Sequence, residues 1–299
     1  MITPEFLRPG DKVGVVSPAR FVSENDIQKG LEWLNAHGLM IVTGSNAYSR
    51  HHQFGGTDQQ RAADFQKFLD NPDIKAIFCT RGGYGSVRVA QHIHWEKFTQ
   101  KPKWIVGFSD ITVFHSAVHQ KGIESLHAPL LFNLQQDNFD TTSFDHTMAI
   151  LKGEKPVYTC PSHPLNKQGI ARGILVGGNL SVLYSLRGTD YDIFTGGKIL
   201  FLEDIDEYLY HIDRMMMNFK LGGKLDNLRG LIIGQMTDMK DNKIPFGKDA
   251  YQIISEYASE LNIPVAFGFP AGHENINLPL ILGREIMLEV DDHVQVTFR

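Results

Sequence analysis

Three polar residues of this chain stand beside apolar runs and together supply the side chains of a serine hydrolase. Ser109 follows the run WIVGF, Glu203 follows the run KILFL, and His273 lies in the loop FPAGHENINLP. A serine nucleophile needs a base within hydrogen-bond reach of its hydroxyl and a carboxylate that orients that base. The three residue types therefore predict a Ser-His-Glu site that attacks a carbonyl group.

Each of these residues also has a plainer interpretation. Ser109 followed by Asp110 is a good helix N-cap, and most serines at such corners only cap a helix. Glu203 precedes Asp204, Asp206 and Glu207, so it is also typical of a solvated acid in an acidic loop, and a lone loop histidine is more often a polar surface residue. The residue types alone leave both interpretations open.

The glycine-rich loop RGGYG after residue 80 is a candidate ligand-binding loop. Its backbone N–H groups lack side-chain obstruction and can approach a ligand closely. Phosphate binding is weakly indicated, because the loop has neither the GxGxxG spacing nor the ending of a P-loop. A second interpretation pairs the N–H groups of Gly83 and Asp110 as an oxyanion hole, and a third is a plain tight turn. Arg81 and Tyr84 are candidates for substrate binding. The guanidinium of Arg81 can hold a carboxylate with two hydrogen bonds, or it can instead tie the loop to a neighbour.

Histidine and cysteine positions do not indicate a metal site. His115 and His119 are four residues apart on a predicted helix, but no third ligand and no HExxH motif accompanies them. We therefore interpret them as packing or surface histidines. Cys79 and Cys160 have no CxxC spacing and are expected to be buried thiols in a reducing compartment.

The elements that position these residues alternate between strand and helix. Strands are predicted at residues 12–17, 39–43, 74–79 and 104–108, each followed by a run with helical periodicity. Four such units predict a parallel sheet with helices on both faces, and ligands bind such sheets beyond the carboxyl ends of the strands. Ser17, the glycine loop and Ser109 all lie at those ends.

The remaining half has its own pattern. Residues 151–168 contain three prolines and are interpreted as a linker between a domain of residues 1–150 and a domain of residues 169–299. In the second domain, further strands and helices follow, with a helix opening at the glycine pair of GGNLSVL. A terminal hairpin is predicted from strands at roughly residues 280–290 and 294–298, with its turn at Asp291 and Asp292.

Composition limits the class of protein. The chain has 299 residues, 42% of them hydrophobic and 21% charged, with a net charge of −5. Its length and apolar content are sufficient for one large or two ordinary domains with a sizeable core. The absence of a basic cluster argues against nucleic acid as a partner, and no apolar run approaches the roughly 18 residues of a membrane span. We therefore expect a cytoplasmic globular protein.

Six motifs in order resemble the LD-carboxypeptidase family of serine peptidases, also called muramoyltetrapeptide carboxypeptidases. They are LRPGDKVGVVSPAR, TRGGYG, GFSDIT, GGNLSVL, LFLEDIDEYLYHIDRM and GHENINLPL. The resemblance runs nearly end to end. It implies an α/β fold with a flavodoxin-like parallel-sheet N-terminal domain and a C-terminal swivelling β/α domain. By motif it implies Ser109 as the nucleophile, Glu203 and His273 as its partners, and the amides of Gly83 and Asp110 as the oxyanion hole.

The resemblance also implies an activity. The expected substrate is a murein tetrapeptide, from which the enzyme releases the terminal D-alanine, and a homodimer that needs no metal or other cofactor is expected. Two alternatives stay open: a microcin-immunity type of peptidase that cleaves peptidyl or acyl-sulfamoyl nucleotides, and a non-catalytic protein that binds a small ligand at the glycine loop.

Overall fold

The computed structural model describes all residues, 1–299, and the chain divides into two compact units. The first unit comprises residues 1–154 and 278–280, and the second comprises residues 155–277 and 281–299. The strands β1–β13 are Lys12–Val16, Met40–Thr43, Ile74–Cys79, Trp104–Gly107, Ser125–His127, Val157–Pro161, Gly169–Asn179, Ile199–Ile205, Gly230–Thr237, Val265–Ala266, Leu280–Leu282, Glu285–Val290 and His293–Phe298. The α-helices α1–α9 are Gln28–Ala36, Asp58–Asp70, Ser86–Ala90, Glu96–Gln100, Thr112–Gln120, Thr142–Leu151, Leu180–Ser185, Leu209–Leu221 and Ala250–Ser259.

The first sheet has the strand order β11-β5-β4-β3-β1-β2. The order 2-1-3-4-5 of its first five strands, all paired in parallel, is that of a flavodoxin-like fold, as expected from the sequence. The chain reverses its direction of winding between β1 and β3. The carboxyl ends of these two strands therefore border the crevice in which such folds bind ligands.

Helices cover both faces of this sheet. A Cβ on Gly14 of β1 would lie 2.6 Å from the ring of Phe68 in α2, so α2 packs closely on the Gly14 face. Phe78 of β3 pairs with Val15, the next residue along β1, and therefore points to the opposite face, where it meets Trp33 of α1 edge-on. The predicted alternation of strand and helix is confirmed.

The second sheet is mixed, with the order β10-β9-β8-β7-β12-β13-β6. Strands β7 to β10 are parallel, whereas β12, β13 and β6 continue the sheet in antiparallel register. The residues expected to form a linker, 151–168, contain β6, which pairs with β13 in the second unit. None of the helices is long and apolar enough to cross a lipid bilayer.

Three local expectations were wrong. The predicted hairpin strand of residues 280–290 breaks at Gly283, whose positive φ of 94° separates β11 from β12. The helix expected at the glycine pair of GGNLSVL begins only at Leu180, and the pair itself lies in β7, where a Cβ on Gly177 would be 1.8 Å from the carbonyl oxygen of Phe201 in β8. Strand β8 continues to Ile205, so Glu203 lies within the strand and not after it.

Candidate functional site

Ser109 occupies a sharp corner between β4 and α5. It is the first residue of a short 3-10 helix, Ser109–Ile111, and has a φ of 62°, a left-handed conformation that is uncommon for a residue with a side chain. Its hydroxyl caps neither the 3-10 helix nor α5, so the capping interpretation is not supported. A strained residue at a strand-to-helix corner is typical of a functional site.

A buried histidine fixes the strand that leads to this corner. His115, in α5, places Nε2 2.8 Å from the carbonyl oxygen of Gly107 and Nδ1 2.9 Å from the hydroxyl of Ser125. Burial lowers the pKa of His115 to about 4, so the ring is neutral at pH 7. Nε2 must then carry the proton that is donated to Gly107, and Nδ1 accepts from Ser125. His115 is thus a packing histidine, as expected.

The glycine loop lies against Ser109. A Cβ on Gly82 would be 3.0 Å from Cβ of Ser109 and 3.1 Å from its Oγ, so a larger residue would not fit there without a shift. Gly83 has a φ of 109°, and no hydrogen bond within the protein uses its backbone N–H. The N–H of Gly83 belongs to the loop that lies against Ser109 and has no internal partner, so it is able to donate to an oxyanion.

Asp110 and Arg61 tie this loop in place, and neither side chain was singled out from the sequence. The buried carboxylate of Asp110 accepts a hydrogen bond of 2.7 Å from the N–H of Ser86 at the start of α3. Burial raises the pKa of Asp110, although this hydrogen bond opposes the shift. Arg61 is almost fully buried and donates to the carbonyl oxygens of Pro18 and Gly85. No sequence motif marks Arg61, since the two carbonyl groups of the loop region that it binds are distant from it in the chain.

Glu203 and His273 meet in the second unit. Glu203 is fully buried, and its Oε2 lies 2.7 Å from Nδ1 of His273, whose side chain is 12% exposed. The solvated-acid interpretation of Glu203 is therefore wrong. Burial alone would lower the pKa of His273, but the negative charge and hydrogen bond of Glu203 outweigh burial, and the net shift is upward. The pair has the geometry of a base and its orienting carboxylate.

The loop that carries His273 is clamped by two amides. Gln235 of β9 donates from Nε2 to the carbonyl oxygen of Ile276 and accepts the N–H of Glu274 on its Oε1. The Oδ1 of Asn277 accepts the N–H of Gly272 at 3.0 Å. A cavity of about 510 Å³ opens beside His273 on this side of the loop. The role of Gln235 was missed from the sequence, because it lies about forty residues away from the loop that it holds.

Asp204, next to Glu203, faces a different partner. It accepts hydrogen bonds from Nδ2 of Asn179 at 2.9 Å and from the N–H of Ser181 at 2.8 Å, which joins β8 to the start of α7. Burial, and then the charge of Glu203, raise the pKa of Asp204 to about 7. The two neighbouring acids are therefore both buried but have separate partners.

Arg81 and Tyr84 lie in the glycine loop and differ in their surroundings. The guanidinium carbon of Arg81 is 4.2 Å above the ring centroid of Phe132. Tyr84 is 50% exposed, with its ring 6.0 Å from that of Phe54. Cys79 and Cys160 are both buried free thiols, as expected.

The chain matches two family models and several known proteins. Residues 13–128 match the LD-carboxypeptidase N-terminal domain, and residues 172–288 match the LD-carboxypeptidase C-terminal domain. A probable murein peptide carboxypeptidase of Bacillus subtilis is 32% identical, over 98% of this chain and 93% of its own. A microcin self-immunity protein, MccF, of Escherichia coli is 26% identical, over 96% of this chain and 92% of its own. The crystal structure of a muramoyltetrapeptide carboxypeptidase from Oxalobacter formigenes superposes with a TM-score of 0.86 at 27% identity, over 96% of this chain and 98% of that one.

Proposed function

This chain belongs to the LD-carboxypeptidase family of serine peptidases, and on that premise we propose that it releases the terminal D-alanine from a murein tetrapeptide by hydrolysing an L,D-peptide bond. The observation that carries the proposal is the buried hydrogen bond between Glu203 and His273. A neutral imidazole held by a buried carboxylate is a general base, and peptide hydrolysis by serine requires one.

The proposed reaction uses the residues predicted from the sequence. His273 takes the proton of Ser109 through Nε2 as the hydroxyl oxygen attacks the peptide carbonyl, and Glu203 stabilises the imidazolium that forms. The N–H groups of Gly83 and Asp110 donate to the oxyanion. His273 then gives its proton to the leaving amine as the C–N bond breaks, and a water molecule, activated in the same way, releases the acyl group from Ser109.

Mass spectrometry of the peptide products tests this reaction. Purified protein is incubated with L-Ala-γ-D-Glu-meso-diaminopimelate-D-Ala, beside the variants Ser109→Ala and Ser116→Ala. Ser116 is a matched control because it is buried in α5 and its hydroxyl makes no hydrogen bond. We expect loss of one alanine with the wild type and with Ser116→Ala, and none with Ser109→Ala. Cleavage by Ser109→Ala at the wild-type rate would exclude Ser109 as the nucleophile.

A second candidate is cleavage of peptidyl or acyl-sulfamoyl nucleotides, as in the microcin-immunity type of peptidase. The observation in its favour is the exposed ring of Tyr84, which follows Gly83 in the glycine loop and offers a face on which a nucleobase can stack. Incubation with an aspartyl sulfamoyl adenosine distinguishes the two substrates. Preferential cleavage of this compound, with a loss of that preference in Tyr84→Ala, would favour the second candidate over the first.

The proposal extends to the setting of the reaction. We place the enzyme in the cytoplasm as a homodimer, with the nucleophile in a domain of residues 1–150 and the glutamate and histidine in a domain of residues 169–299. Sedimentation equilibrium of the purified protein tests the dimer, and fractionation of the source cells tests the location.

A further inference from the structure

Two arginines border the crevice at the point where the first sheet reverses its winding. Arg20 lies in the loop after β1, and Arg81 follows β3. These strands are neighbours, and their ends are joined by a hydrogen bond of 2.7 Å between the hydroxyls of Ser17 and Thr80. Ligands of flavodoxin-like sheets bind at this position, so both guanidiniums belong to a surface that the fold makes available for a ligand.

Neither guanidinium forms an ion pair within the protein. Arg20 and Arg81 form no ion pair with any of the chain's acids, whereas Arg61 and Arg88 share the carboxylate of Asp58. Asp26 acts on Arg81 only over a distance, and its carboxylate accepts the N–H of Ser23 at 2.7 Å. The two positive charges at the loop therefore have no directly paired carboxylate.

Packing holds the side chains of Arg20 and Arg81 in place. Arg81 rests on the ring of Phe132, at 4.2 Å from its centroid. The side chain of Arg20 lies over Gly83 in the place where a Cβ would be, since Cδ of Arg20 would be only 2.4 Å from such an atom. Gly83 follows Arg81 by two residues, so Arg20 and Arg81 adjoin the same loop, and burial, and then the charge of Arg20, lower the pKa of Arg81. Two like charges repel each other, and an anion between them removes this cost.

The arginines adjoin the part of the glycine loop that lies against Ser109. Gly82 contacts Ser109, Gly83 follows it, and Arg20 covers Gly83. In a peptide, one residue spans about 3.3–3.6 Å, so an enzyme that removes a single residue must hold the terminal carboxylate about that far from the bond it cleaves. Arg81 precedes Gly82 and the side chain of Arg20 covers Gly83, so both arginines border the loop segment next to the nucleophile.

We propose that Arg20 and Arg81 form the site that binds the C-terminal carboxylate of the peptide substrate, which rests on the proposed function. The paired guanidiniums recognise a planar carboxylate through charge-assisted hydrogen bonds and restrict cleavage to the last bond of the chain. Arg20, the last residue of the motif LRPGDKVGVVSPAR, thereby becomes a specificity-determining residue.

Binding and turnover are measured on the same proteins: the wild type, Arg20→Met, Arg81→Met and the control Lys12→Met. Lys12 begins β1, at the opposite end of the strand from Arg20, and its charge pairs with Asp73. Calorimetry compares N-acetyl-D-alanine, N-acetyl-D-alaninamide and inorganic phosphate. We expect the wild type and Lys12→Met to bind the acid about 10- to 100-fold more tightly than the amide, and each arginine variant to lose most of that preference.

Turnover of the tetrapeptide and of its C-terminal amide gives the second readout. The ratio of kcat/KM for acid over amide should fall in both arginine variants, while kcat/KM for the amide stays within a few-fold of the wild type. A loss of fold would lower kcat/KM for both substrates together. Arg20→Lys and Arg81→Lys keep the charge and the packing but lose the planar fork, and they should retain part of the preference.

The outcomes separate the two proposals. If the wild type cleaves acid and amide equally and the variants behave like the wild type, the carboxylate site is wrong and the proposed function stands. If the wild type cleaves neither peptide but binds N-acetyl-D-alanine through both arginines, the site stands and the proposed function fails. Tighter binding of phosphate than of N-acetyl-D-alanine, lost in both methionine variants, would overturn the carboxylate as the recognised group.

Discussion

Replacement of Glu203 by Gln gives a quantitative test of the proposed base. The substitution keeps the size of the side chain and removes one negative charge. In the structure this charge lies against His273, with 2.7 Å between Oε2 and Nδ1, and Glu203 is fully buried, so little water screens the pair. The charge matters most when His273 is protonated, as it is in the transition state of serine attack.

The size of the effect follows from Coulomb's law. Two unit charges about 4 Å apart interact by about 4 kcal/mol at the effective dielectric constant of about 20 that describes protein sites. Each 1.36 kcal/mol of lost transition-state stabilisation is tenfold in rate, so we expect Glu203→Gln to lower kcat/KM by about 1,000-fold. Release of D-alanine, followed with a coupled D-amino acid oxidase assay, measures this loss over that range.

A second glutamate–histidine pair in the same unit supplies the control. Oε2 of Glu207 lies 2.5 Å from Nδ1 of His211, but this pair is partly exposed. Glu207→Gln should therefore leave kcat/KM within a few-fold of the wild type. Glu203→Gln with more than a tenth of the wild-type activity would refute the role of its charge, and an equal loss in Glu207→Gln would attribute the effect to damage of the region. Thermal unfolding of both variants accompanies the assay.

Three further results are expected. Glu203 raises the pKa of His273, and a general base must be neutral, so kcat/KM should fall with decreasing pH through a pKa above 6.5. Glu203→Gln should move this fall of kcat/KM to lower pH. An unchanged pH profile in the variant would contradict the assignment of His273 as the base. Ser109→Gly should be about 1 kcal/mol more stable than Ser109→Ala in urea unfolding, because glycine adopts a φ of 62° without strain; equal stabilities would argue against strain at this corner. Gly83→Ala should lower kcat by about 100-fold, since its methyl group would meet Arg20 and displace an oxyanion donor. Gly10→Ala, also at positive φ but with open space around it, should not lower kcat in this way. Full activity of Gly83→Ala would exclude the N–H of Gly83 as a donor.

The sequence was informative wherever a local pattern has a local cause. Apolar runs of five or six residues predicted four of the six strands of the first sheet, β1 to β4. The spacing of Thr57 and Gln60 is likewise typical of a capping box, which the structure has at the start of α2. The strand-to-helix corner at Ser109 followed from the same reasoning, because periodicity changes there within a few residues. These features depend on neighbours in the chain, which the sequence shows directly.

Other features needed the tertiary structure. The extension of β8 through Glu203 and Asp204 is decided by pairing with β7 and β9, which overrides the preference of acidic residues for loops. Whether an acid is solvated or buried depends on which strands cover it. The acidic run after KILFL looked uniform, yet Glu203 is fully buried and Asp206 is exposed.

The residue types of the site were thus readable from the sequence, and their environments were not. Residue types and motif order determined that a serine, a glutamate and a histidine were available, together with the family that uses them. Only the fold decided that Glu203 lies against His273, that Gln235 holds the histidine loop, and that Arg20 covers Gly83. The physical reason is that burial, charge interaction and close packing depend on distances in space, and these contacts join residues that are about forty to seventy positions apart in the chain.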